Sequence, residues 1–247
     1  MDGGMRKMGE NNALLIGRRL NKKFGGVQAI RDLTVAIQKG KITGLIGPNG
    51  AGKTTFFNLI NGIYPLDAGE ILLGGKKING LSPDAIAAAG ISRTFQLLNN
   101  FPRLSVYENI RAGVITKFLD RRKEEEKITD MLELLRISHL ADTDISEIPP
   151  VARKLVEVGR ALIADPQLVL FDEIMAGFNE EEMVNLIELI RRENQKGITF
   201  CIIGHTMRAI MDISDWVVVL DEGSKFLEGT PKEIQEDSGV QRIYLGG

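Results

Sequence analysis

Apolar positions along this chain follow two periods. Lys41-Ile42-Thr43-Gly44-Leu45-Ile46, Gln167-Leu168-Val169-Leu170-Phe171, Thr199-Phe200-Cys201-Ile202-Ile203 and Trp216 to Leu220 are short, nearly continuous apolar runs. Runs of that length predict strands buried on both faces. Between them the spacing is that of a helix. Phe56, Leu59, Ile60 and Ile63 form one apolar stripe, Leu155, Val158, Gly159 and Leu162 a second, and Met183, Leu186, Ile187 and Ile190 a third. Asn179-Glu180-Glu181-Glu182 reads as a capping box opening the third. Strands alternating with helices predict an α/β fold with a mostly parallel sheet.

The rest of the chain punctuates this core. Residues 1–12 are polar and Gly-rich, the composition of a frayed tail. From Leu14 to Gly74 short β-rich runs alternate with turns. Asn21-Lys22-Lys23-Phe24-Gly25-Gly26 reads as one such turn, and Gly69 to Ile78 as a hairpin turning at Gly74-Gly75. A helix across Pro83–Ala89 precedes the strand-like Gly90-Ile91-Ser92-Arg93-Thr94-Phe95-Gln96. Residues 97–148 lack strong strand signals, and Ile128, Met131, Leu132 and Leu135 form another helical stripe. This is the pattern of a helical subdomain inserted into the core. Its charge run, Arg121 to Lys127, reads as a solvated face.

One loop carries chemistry without help from context. Gly47-Pro48-Asn49-Gly50-Ala51-Gly52-Lys53-Thr54-Thr55 fits the pattern that wraps backbone N–H groups around nucleotide phosphates. Its glycines allow the backbone angles that an inward ring of donors needs. Lys53 is spaced to reach the β- and γ-phosphates, and the Thr54 hydroxyl to ligate Mg²⁺. The loop lies between a strand and a helix whose N-terminus favours anions. Asp172-Glu173 ends another strand, and adjacent carboxylates there are costly to bury without a cation such as a magnesium–nucleotide. His205 follows a third strand. In parallel sheets ligands bind outside the strand C-terminal ends, where all three features converge. Phe24 is a candidate base-stacking aromatic, with a half-buried strand residue as the plainer reading; His139, the other histidine, reads as structural.

Composition excludes little. With 247 residues, 43% hydrophobic and 26% charged, the chain has ample material for a core. A net charge of −2 gives no reason to expect nucleic-acid binding. The lone Cys201 rules out an intrachain disulfide and fits a reducing cytoplasm. There is no signal-peptide pattern, and no apolar run reaches the ~18 residues of a membrane span.

From about Leu14 to Gly247 the sequence resembles the ATP-binding subunit of an ABC transporter, most of all those of branched-chain amino-acid importers. The resemblance rests on Lys23-Phe24-Gly25-Gly26, Gly90 to Gln96, Ala176-Gly177-Phe178-Asn179 and the Tyr244-Leu245-Gly246-Gly247 ending. It implies a P-loop core over residues 13–96 and 153–247, including an antiparallel β subdomain, and a helical subdomain over 97–152 that grips membrane permease subunits. It also implies that Phe24 stacks on adenine and that Gly47 to Thr55 is the Walker A loop. Gln96 would touch Mg²⁺ and the attacking water, Asp172 would ligate Mg²⁺, Glu173 would polarise water and His205 would sense the γ-phosphate. The implied cofactors are ATP and Mg²⁺. The implied place is the cytoplasmic face of the membrane, with a solute-binding protein as indirect partner.

The sequence departs from that family at one motif. Where the family has L-S-x-G-Q, this chain has Ile148-Pro149-Pro150-Val151-Ala152. In the family, the serine hydroxyl and glycine N–H there bind the γ-phosphate held by the opposite subunit. Pro149 has neither a hydroxyl nor an N–H, and Val151 adds a branched side chain. Ile174, Gly204 and Thr206 are smaller departures. The elements acting on the chain's own ATP are complete, and the element acting on a partner's ATP is not. The expectation is an asymmetric pair with a paralogue carrying an intact signature. An ATP-gated dimerisation module with little hydrolysis and a soluble ABC ATPase not coupled to transport are the alternatives.

Overall fold

The computed structural model describes residues 12–94, 100–114, 120–204 and 206–245. Gln96, His205 and all of the predicted tail except Asn12 lie outside them. Asn12 is tied down, its carbonyl accepting from the Lys39 N–H at 3.0 Å.

The core is a six-stranded sheet in the order β10 (Ser224–Gly229), β9 (Trp216–Asp221), β3 (Ile42–Ile46), β8 (Thr199–Ile203), β7 (Leu168–Asp172), β6 (Ile91–Arg93). All its pairings are parallel except that of β9 with the edge strand β10. β3, β7 and β8 are buried at every residue. Such strands need cover on both faces, and alternation decides which cover each residue meets. Val169 and Phe171 of β7 point into one apolar cluster, and Leu168 and Leu170 into the other.

The second cluster is closed by a four-stranded antiparallel sheet, β2 (Val27–Gln38), β1 (Ala13–Phe24), β4 (Ala68–Leu73) and β5 (Lys76–Lys77). Phe56, Phe57 and Ile60 of α1 (Lys53–Ile60) fill it. The first cluster is closed by helices: α3 (Val106–Arg111), α4 (Arg121–Leu134), α5 (Pro150–Leu162), α6 (Glu180–Gln195) and α7 (Met207–Ile213). Burying one side chain the size of Phe171 or Phe200 contributes roughly 1.5–3 kcal/mol, so these two faces dominate the stability. α2 (Pro83–Ala88), α8 (Pro231–Glu236) and α9 (Ser238–Leu245) complete the described helices. The capping box at Asn179 is formed, and Ser105 with Glu108 and Thr230 with Glu233 form two more.

Local detail differs from the sequence reading in places. α1 stops at Ile60, so Ile63, expected on its apolar stripe, lies beyond the helix and is 41% exposed. The polar stretch Asn21-Lys22-Lys23-Phe24 is not a turn but the end of β1, and the chain reverses only at Gly25-Gly26, with Phe24 opposite Val27. Lys22 tolerates the strand because its stem is buried and its ammonium meets Asp67 at 2.8 Å. The helix that carries the Leu155–Leu162 stripe starts at Pro150, so Pro149-Pro150-Val151 forms that helix's N-terminus.

Candidate functional site

β3 delivers the phosphate loop and α1 begins at its Lys53, so strand, loop and helix follow as the spacing requires. Gly47, Gly50 and Gly52 all have positive φ, of 152°, 80° and 96°. Gly47 has no alternative, because a Cβ there would lie 2.2 Å from the Leu220 carbonyl oxygen. Gly52 is pressed against Ala29 of β2, which brings the β1–β2 hairpin alongside the loop. Asn49 to Thr55 and Glu173 line a cavity of about 240 Å³.

Lys53 is 6% exposed, and its ammonium donates to the loop's own carbonyls, Gly47 O at 2.7 Å and Pro48 O at 2.9 Å. Burial pushes its pKa below the ordinary lysine value, while Glu173 and Asp172 pull it back up. A cation held by two neutral carbonyls beside two carboxylates is ready for an anion with stronger acceptors.

Asp172 ends β7 with its side chain fully buried. One carboxylate oxygen, Oδ2, accepts from Arg93 Nη2 at 2.8 Å, and its N–H donates to Thr94 Oγ1 at 3.3 Å. The other oxygen, Oδ1, has no hydrogen-bond partner among the described residues. Burial pushes this carboxyl above the usual range, against the pull of Arg93. A buried carboxylate oxygen with no described partner is what a divalent cation fits, so Asp172 and the loop's Thr54 hydroxyl suit Mg²⁺ as donors.

Glu173 follows in the left-handed region at φ 54°, which costs a non-glycine residue about 1–3 kcal/mol. Two bonds over-determine that geometry. Its N–H donates to Ile203 O at 3.0 Å, and its carbonyl accepts from Ala176 N at 3.2 Å. The turn aims the side chain into the cavity with Lys53. Strain of this kind, held by surrounding structure, concentrates at functional sites.

Phe24 is 41% exposed at the hairpin tip, and its ring meets Tyr64 edge-on with centroids 4.9 Å apart. Gln96 and His205 lie outside the described residues. His139 sits in a single 3₁₀ turn, Ser138–Leu140, away from the loop cavity.

Pro149 caps α5 without a side-chain hydrogen bond, and Pro150 occupies its first turn. Arg153 N bonds back to Pro149 O, leaving Val151 and Ala152 as the first-turn residues whose N–H could serve an outside acceptor. Lys154, one turn in, donates to Ala176 O and lies 6.0 Å from the Phe178 ring, linking this helix start to the segment after Glu173.

No periodicity in the sequence assigns a role to Arg93, Lys154 or the φ of Glu173. For Arg93 a signal exists in the pattern: a lone cation ends the short strand that pairs with the strand ending in Asp172.

Comparison with known proteins agrees with this geometry. A family model described as ABC transporter matches residues 30–176. The lipopolysaccharide export system ATP-binding protein LptB of Escherichia coli is 34% identical over 235 residues, covering 95% of this chain and 98% of that protein. The probable branched-chain amino acid transport ATP-binding protein LivG of Archaeoglobus fulgidus is 33% identical, covering 94% and 95%. A solved nucleotide-free ATP-binding cassette from an ABC transporter superposes with a TM-score of 0.85 at 30% identity, covering 95% of this chain and all of the other. The chain belongs to the ABC transporter ATPases, a family that binds and hydrolyses ATP, and is the ATPase subunit of a transporter.

Proposed function

We propose that this chain powers import of a small solute of the branched-chain amino-acid class through membrane subunits, as one half of an asymmetric pair on their cytoplasmic face. The import reading is supported by the likeness to LivG and by the Lys23-Phe24-Gly25-Gly26 and Tyr244-Leu245-Gly246-Gly247 segments. LptB, named for lipopolysaccharide export, is equally similar. Solute choice would lie with the permease subunits and a solute-binding protein.

In this reading the phosphates of ATP enter the cavity of Asn49 to Thr55, and Lys53 exchanges the Gly47 and Pro48 carbonyls for phosphate oxygens. Thr54, Asp172 and Gln96 would hold Mg²⁺, which neutralises phosphate charge when bound. Glu173, fixed by its two backbone bonds, takes the proton of the attacking water. His205 contacts the γ-phosphate. Phe24, braced by Tyr64, presents its face to adenine.

The observation that carries the asymmetry is the start of α5. Pro149 supplies no hydroxyl, and Val151 sets a branched side chain beside its N–H, where a partner's γ-phosphate would need a serine hydroxyl and a bare glycine backbone. The missing hydroxyl costs about 10²–10³-fold in rate. A paralogue with an intact signature would complete the site built on this chain's Lys53, Asp172 and Glu173. In a purified 1:1 complex with that paralogue, Glu173→Gln should abolish most ATPase activity; an unchanged rate would place the competent site elsewhere. The same helix start favours a second reading, an ATP-gated dimerisation module with little turnover. Substantial hydrolysis by the wild-type complex excludes it.

A further inference from the structure

Arg93 is a buried cation to which the catalytic reading assigns no task. Its side chain is 4% exposed, and its guanidinium forks between two elements. Nη2 donates to Asp172 Oδ2 at 2.8 Å, and Nη1 donates to Asn58 Oδ1 at 2.6 Å. The guanidinium carbon lies 5.5 Å from the Phe57 ring centroid, so the group also stacks on α1. Asn58 and Phe57 belong to the helix that carries Thr54, and Asp172 ends β7. One planar group therefore clamps together the two elements that would supply magnesium donors.

Backbone contacts hold the clamp in place. Arg93 pairs with Leu170 in the β6–β7 register, two residues before Asp172. The next residue, Thr94, donates its N–H to Leu170 O at 3.0 Å and accepts from Asp172 N at 3.3 Å. Because Oδ2 is bound to Arg93, the carboxylate cannot rotate freely, and Oδ1 is the oxygen left without a partner among the described residues. Outer-sphere bonds of this kind orient a ligating carboxylate. Lysine would not substitute, since a point charge cannot reach Asp172 and Asn58 in one plane.

We propose that Arg93 is a positioning residue for metal binding: it fixes the Asp172 carboxylate against α1 so that Oδ1 faces the cation accompanying the nucleotide. This rests on the reading of Asp172 as a magnesium ligand. The consequence is specific. Arg93 governs how much Mg²⁺ improves nucleotide binding, and not the binding of the nucleotide itself.

The test is equilibrium binding of the fluorescent analogue MANT-ATP to the full chain, in EDTA and in saturating Mg²⁺, for wild type and Arg93→Gln. Thermal melts report whether the variant folds. The expected result is an EDTA affinity within about threefold of wild type and a magnesium-dependent gain reduced by roughly 10–100-fold. An unchanged gain in a folded variant overturns the proposal. So does equal loss of binding with and without Mg²⁺, which would make Arg93 a support for the whole loop. Should Arg93→Gln fail to fold, Arg93→Lys keeps the charge, breaks the fork and is expected to lose the gain by about tenfold; an unchanged gain overturns the proposal there too. A wild-type chain that binds MANT-ATP without responding to Mg²⁺ overturns the Asp172 reading and this proposal together. A wild-type chain that binds no nucleotide at all overturns the ATPase site itself.

Discussion

Gly47 and Gly50 share a loop and both have positive φ, yet replacing each by alanine should have very different results. At Gly47 the new Cβ would lie 2.2 Å from Leu220 O, more than an ångström short of the 3.4 Å at which ordinary contact begins. Leu220 cannot yield easily, because β9 is held by β3 on one side and β10 on the other. The clash adds about 1–3 kcal/mol to a backbone cost of similar size, for a total of roughly 2–6 kcal/mol. At Gly50 nothing lies within 4 Å, and the φ of 80° alone costs about 1–2 kcal/mol. At roughly 2–4 °C per kcal/mol for a chain of this size, Gly47→Ala should lower the melting temperature by about 4–24 °C and Gly50→Ala by about 2–8 °C. MANT-ATP affinity should fall at least ~10-fold for Gly47→Ala, the equivalent of one charge-assisted hydrogen bond, and change little for Gly50→Ala. Thermal melts and equilibrium titration read both. Equal damage from the two substitutions, or a harmless Gly47→Ala, would refute the claim that close approach to β9 shapes this loop.

Other outcomes follow from single residues. Glu173→Asn removes the carboxylate but tolerates the φ of 54°, so hydrolysis should be lost while the chain gains about 0.5–1 kcal/mol in urea unfolding; a loss of stability would contradict the strain argument. Cys201 is 1% exposed and burial pushes its thiol well up, so it should ignore Ellman's reagent until the chain unfolds; rapid labelling of the native chain would contradict the placement of β8. Burial pushes Tyr244 up to about 12, while a hydrogen bond with the Gly47 backbone pulls the other way. The folded chain keeps that proton above the ordinary tyrosine pKa, so its contribution to stability is full below about pH 10 and lost as pH rises toward 12. Tyr244→Phe should flatten the decline of melting temperature across that window, and an identical decline would show that Tyr244 is not the group responsible.

The core strands were legible because they are buried on both faces, which leaves runs such as Leu168 to Phe171 without polar interruption. The phosphate loop was legible because its backbone geometry demands glycine at fixed spacing. The β1–β2 turn was not, because polarity mimics a turn where a lysine lies along the sheet with its charge on Asp67. Pattern also cannot report that Glu173 is left-handed or that Pro149-Pro150 starts α5, since both depend on which neighbours hold the backbone. Arg93 was hidden for a related reason. Its meaning comes from register, and register brings it beside a strand 75 or more positions further along the chain. Gln96 was legible only through family likeness and His205 from its place after a strand end, and each lies outside the described residues.

The central claim is that this chain brings a complete set of groups to its own ATP and an incomplete one to a partner's. Steady-state Mg·ATPase activity of the purified chain alone, across a wide range of protein concentration and alongside MANT-ATP binding, tests it most directly. Tight nucleotide binding with near-zero turnover at every concentration is the predicted result. Robust turnover rising with concentration would show that Pro149-Pro150-Val151 still serves a second copy of the chain, and would contradict the asymmetric account.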